Sequence, residues 1–159
     1  LRTAVTGLAA RDLPAAYVLQ SRLRDRLARS ATHPDALADA DWELGRLATQ
    51  RGYVDPRRRR AWFEEGMRDY QRAVALAPTA ERYLMAAGSQ ELNLGDPRSA
   101  SPYFQRVVSQ NPASADAYAG LGVSAFRLGD IADARRYERL SRSYDPHSHF
   151  LQTLETLLQ

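Results

Sequence analysis

The sequence predicts an all-α solenoid built from stacked helix pairs, and three observations carry that prediction. When residues 81–114 are laid over 115–148, Gly88 falls on Gly122, Gly95 on Gly129, Asp96 on Asp130, Ala100 on Ala134 and Pro112 on Pro146, each pair 34 residues apart. Pro78 stands a further 34 residues before Pro112, and a fixed period in this range marks a repeat array. Within one unit, Tyr118, Leu121 and Ala125 share a helical face and Gly129 follows them. Glycine takes the left-handed conformation at no steric cost, so the first helix stops there. Asp130 can then cap a second helix carrying Ile131, Ala134, Tyr137 and Leu140, accepting bonds from its free amides. A helix of roughly 14 residues is marginal alone in water, so such pairs must stack to bury their apolar faces.

Taken in order, residues 1–34 read as a degenerate N-terminal helical repeat. Leu1, Val5 and Leu8 have helical spacing, and Asp12 precedes Ala16 as Asp96 precedes Ala100 and Asp130 precedes Ala134. This marks a second helix over Leu13–Ser30, with Thr32, His33, Pro34 and Asp35 as the link that follows. Residues 35–80 form the next unit. Its Gly45, Ala48 and Gly52 match Gly88, Glu91 and Gly95 at an offset of 43 rather than 34, which leaves nine extra residues near 53–61. These are expected to bulge as a surface loop, since lengthening such a loop adds little closure entropy. The unit resumes with Gly66, Tyr70 and Ala73 at the positions of Ala100, Phe104 and Val107. Units 81–114 and 115–148 follow. Residues 149–159 form a last helix that caps the array, with Phe150, Leu151, Leu154, Leu157 and Leu158 inward.

These units resemble the tetratricopeptide repeat, whose 34-residue pattern runs from Trp-x2-Leu-Gly-x2-Tyr through Ala and Phe to Pro. The residues that carry the resemblance are Tyr118, Leu121, Gly122, Ala125, Gly129, Ala134 and Pro146, and before them Leu84, Ala87, Gly88, Gly95, Ala100, Phe104 and Pro112. Glu91 and Glu138 depart from the pattern by standing in aromatic positions, the latter beside Tyr137. The resemblance implies a right-handed superhelical α-solenoid and a non-enzymatic scaffold that binds a peptide or protein segment in a concave groove lined by first helices. Carried over by position, that groove comprises Trp42, Arg46, Gln50, Arg82, Met85, Ser89, Asn93, Phe126 and Arg127. Apolar anchors and side-chain hydrogen-bonding groups together suit a peptide ligand. The same resemblance admits a soluble accessory domain of a larger bacterial envelope protein, concerned with polysaccharide polymerisation or ligation, secretion or pilus assembly.

Composition narrows the rest. Cysteine is absent, which excludes a disulfide framework and thiol chemistry. All 22 basic residues are arginine, the mark of a GC-rich bacterial coding sequence. Residues 53–60 hold Asp55, Arg57, Arg58, Arg59 and Arg60 and sum to +3, the net charge of the whole chain. The remainder is neutral, so the chain is a neutral protein with one basic spot. That spot is a candidate anion patch, which gives a third reading as an anion or nucleic-acid binder. Nucleic acid is disfavoured, because one cluster makes few phosphate contacts. His147 and His149 read as exposed residues at a helix start rather than metal ligands, zinc needing three or four ligands. Gly120 and Gly122 lie within a helix, without the preceding strand of a dinucleotide site. No cofactor, metal or catalytic residue is expected. No apolar run reaches the roughly 18 residues of a membrane span. The opening Leu1 suggests an excised soluble piece of a larger protein, cytoplasmic or periplasmic.

Overall fold

Side-chain size at a few helix crossings decides how this chain packs. The computed structural model describes residues 2–9, 12–30 and 34–159. Among them are nine helices: α1 (Arg2–Ala9), α2 (Leu13–Ser30), α3 (Pro34–Val54), α4 (Arg59–Leu76), α5 (Glu81–Leu94), α6 (Pro97–Gln110), α7 (Ala115–Arg127), α8 (Ile131–Tyr144) and α9 (His149–Leu158). No strand occurs among the described residues. The link expected at Thr32 and His33 lies outside them, as does Leu1.

The three aspartates singled out by sequence all cap helices. Asp12 accepts from the Ala15 amide, Asp96 from Ser99 and Asp130 from Asp133, each at 3.0 Å. Each bond satisfies an amide that the first turn leaves without a partner. Gly95 and Gly129 end α5 and α7 with φ of 84° and 85°, the left-handed region that glycine enters without strain.

The chain divides into two compact units, Leu1–Tyr83 and Leu84–Gln159. In the first, α3 packs extensively on α4 and α2 packs on α3. Leu47, Ala38, Ala48 and Ala73 are fully buried there, and Val5, Ala16 and Leu47 form a cluster with Leu13 and Tyr17 against it. In the second, α7 packs against α6, α8 and α9. Its core holds Leu92, Ala100, Phe104, Leu121, Val123 and Leu154.

Glycines and large side chains meet in register. A methyl group on Gly45 would stand 2.6 Å from the Tyr70 ring, and one on Gly88 would stand 2.8 Å from Phe104. Gly120 of α7 meets the same ring: its methyl would lie 2.7 Å from Phe104 as well. In the following repeat the ring is missing, because Glu138 stands at that position and its carboxylate pairs with Arg142. Leu154 of α9 and Tyr137 fill the space instead, and both crowd the place a methyl on Gly122 would take.

The nine extra residues do not bulge as a loop. They carry α3 past Gly52 to Val54 and start α4 at Arg59, four residues before the position that matches the start of α6 at Pro97. Only residues 55–58 form the connecting turn, held by the Arg58 amide donating to the Asp55 carbonyl at 3.2 Å. Gly52 therefore does not stop its helix as Gly95 does. It lies within α3, where a methyl would stand 2.5 Å from the Phe63 ring, so its role is close approach between helices.

Candidate functional site

The face expected to bind a partner is built from first helices. On α3, Trp42 is partly buried, Arg46 pairs with Glu43 at 2.9 Å and Gln50 is exposed. The Arg82 guanidinium lies 5.7 Å from the Trp42 ring centroid and pairs with Asp39, whose carboxylate also accepts from the Tyr83 hydroxyl. Asp39 and Arg82 are equivalent positions of successive first helices, so the ion pair follows from the register.

In the second unit, Met85, Ser89 and Asn93 recur every four residues and share one face of α5. Met85 packs against the core cluster. The Ser89 hydroxyl donates back to the Met85 carbonyl at 2.7 Å, and the Asn93 amide donates to Gln90 Oε1 at 3.1 Å. Arg127 at the end of α7 donates to the Leu92 carbonyl. A cation at that point complements the negative end of the α5 dipole. Phe126 is half-buried beside it. The structure thus brings Asn93 and Arg127 together at the C-terminal end of α5, with donors of both engaged within the chain.

The arginine run lies at the tip of the α3–α4 hairpin, and all four side chains are exposed. Arg60 pairs with Glu64 at 2.9 Å, and the Arg59 Nε donates to the Gly52 carbonyl at 3.3 Å. Arg58 lies 4.9 Å from the Trp62 ring centroid, with Arg51 at 3.5 Å from it. Cation–π attraction of this kind offsets the unfavourable position of arginines at a helix N-terminus.

Sequence reading missed a buried acidic pair in the first unit. Asp41 of α3 is fully buried and accepts from Arg24 Nε of α2 and Arg72 Nε of α4, both at 3.0 Å. Arg72 also pairs with the buried Asp69 of its own helix. Burial pushes the Asp69 carboxyl up to about 7, outweighing the Arg72 charge. Glu65 is held below its usual range chiefly by the hydrogen bond from Arg68. A cleft of about 260 Å³ opens over this network, lined by Tyr17, Ser21, Arg24, Glu65, Asp69 and Arg72 among others. The available signal was the Asp69–Arg72 spacing on one helix face, which reads equally well as a solvated ion pair.

Among the described residues, no three His, Cys, Asp or Glu side chains are grouped so as to hold a metal ion, and no helix is long and apolar enough to cross a membrane.

Residues 85–147 match the family model described as tetratricopeptide repeat. Over 60 residues the chain is 40% identical to cellulose synthase operon protein C of Komagataeibacter xylinus, a stretch that is 38% of this chain and 4% of that protein. A second relative, from Komagataeibacter sucrofermentans, is 38% identical over 60 residues, again 38% of this chain and 4% of that protein. Among solved structures, PilW, a type IV pilus biogenesis factor, superposes with a TM-score of 0.72 at 19% identity, covering 96% of this chain and 64% of the other. The Sgt2 repeat domain from Aspergillus fumigatus superposes at 0.64 with 19% identity, covering 76% of each chain. At such identities the likeness is one of fold, and it bears out the all-α solenoid class. Stacked helix pairs of this kind present extended surfaces to protein or peptide partners. The 34-residue register, the glycine–aromatic contacts between paired helices and the family-model match identify residues 85–147 as tetratricopeptide repeats.

Proposed function

We propose that the chain is a non-enzymatic scaffold that holds a peptide or protein segment against its first helices. The observation that carries this reading is the α5 face: Met85, Ser89 and Asn93 form a mixed apolar and polar row that the helix presents at four-residue spacing. Such a row offers apolar contact for a side chain beside polar groups that suit a peptide backbone. Within the first unit, Trp42 and Gln50 of α3 have a similar mixed composition, and aromatic anchors dominate interfaces of this type. The engaged donors of Arg127 and Asn93 shape the end of the row rather than supply its main attraction.

The test selects binders from a displayed random-peptide library and places a photo-crosslinking residue at Ser89 or, as a control on a second helix, at the exposed Gln105. Crosslinking of the selected peptide at 89 and not at 105 is the expected result. Equal labelling at both positions, or labelling at 105 alone, removes the first-helix face from consideration.

A second reading, as an accessory domain of a larger bacterial envelope protein, is supported by the 40% identity to a cellulose synthase operon protein. Its check is the gene neighbourhood and full-length chain: a polysaccharide-synthesis or export setting supports it, and an unrelated setting removes it.

A further inference from the structure

The α3–α4 tip combines two features that no groove-binding scaffold requires. Val54 and Tyr53 are the two most exposed large hydrophobic side chains among the described residues, at 68% and 58%. In the turn at 55–58 and at the start of α4 come Arg57, Arg58, Arg59 and Arg60, all exposed. Longer helices than those of the α5–α6 pair carry this tip. The Tyr53 ring packs edge-on against the buried Phe63 at 5.3 Å, while the residue as a whole stays 58% exposed. Asp55 and Glu64 are the nearby acids, and they leave the tip positive.

From this arrangement we propose that the α3–α4 tip docks on an anionic lipid surface. Charge complementarity selects the surface: arginines clustered in one turn are attracted to a negative leaflet within about a Debye length of it. The apolar pair selects lipid over other polyanions. A phosphodiester backbone or an acidic peptide has no use for an exposed valine, whereas the headgroup–acyl boundary accepts it. Tyrosine suits the same boundary, having an apolar ring and a polar hydroxyl. The docking uses residues separate from the α5 row, so it stands or falls independently of the proposed scaffold function.

The experiment is co-sedimentation of the full chain with phosphatidylcholine vesicles, with and without phosphatidylglycerol. Binding to the anionic vesicles alone is expected, falling about tenfold or more as salt rises from about 0.05 M to about 0.3 M. Arg57→Glu with Arg60→Glu should abolish it, and Tyr53→Ser with Val54→Ser should weaken it several-fold, both with unchanged circular dichroism. A Val54→Trp variant should shift its added emission to the blue on anionic vesicles, which a purely electrostatic contact does not cause. Equal binding to both vesicle types, or anionic binding that survives both double variants, overturns the proposal. So does tighter binding to single-stranded DNA that ignores the Tyr53/Val54 change, which assigns the tip to nucleic acid instead.

Discussion

Phe104 is fully buried and lies against two glycines, Gly88 and Gly120, from different helices. Its ring cannot withdraw as a flexible chain end could, so an added methyl on either side has to displace packed atoms. Gly88→Ala and Gly120→Ala are each expected to cost about 1–3 kcal/mol by overpacking, read as a lower thermal midpoint; a midpoint equal to the parent's would contradict the contact. Asp69 gives a second expectation. Its folded pKa lies well above its ordinary value of 3.8, at about 7, so the folded state holds a proton that the unfolded state releases. The resulting stabilisation is complete below about 4 and is lost as pH rises toward 7. Relative to Asp69→Asn, which cannot titrate, the parent protein should lose thermal stability between those limits. A difference that stays flat or grows with pH would reverse the assignment. Gly88, Tyr70 and Phe104 were legible as register positions, but Gly120 was not, since its counterpart one period earlier is Ala86. Asp41 and Asp69 were not, because an acid on a helix is ordinarily solvated and only the arrival of α2 encloses them.

At the scale of elements, a glycine shared by alignment served two ends. Gly95 ends α5, but its counterpart Gly52 stays helical so that Phe63 can approach. The register located the nine extra residues and yet concealed their conformation, because a run of arginines argues against a helix start by dipole alone. Trp62 and Glu64 supply the compensating contacts, and they follow the run rather than belong to it. Deleting residues 53–61 is accordingly expected to remove helical ellipticity and lower the melting temperature, since Phe63 and Trp62 would lose their packing. A deletion variant with the same melt as the parent and a loss of signal no larger than a coil segment's would restore the loop interpretation.

Over the whole molecule, the two compact units each have their own core, and in repeat arrays stability is roughly a sum of local terms. Hydrogen exchange should therefore resolve two blocks. Gly120→Ala should speed exchange in α7 and α9 more than in α3 and α4; a uniform increase along the chain would mean one cooperative unit. The relation between Phe104 and Leu154 also constrains how such a chain can change by recombination. Residue 120 is glycine because 104 is a ring, and Leu154, one period after Gly120, is large where Glu138 has replaced the ring. A tandem copy of 81–114 would press the copied Ala86 into Phe104, while a tandem copy of 115–148 would set Glu138 against a glycine with nothing to fill the gap. Duplicating either repeat unaltered would therefore cost stability at the new junction, so lengthening the array by unequal crossing-over favours a second, compensating substitution in the same lineage.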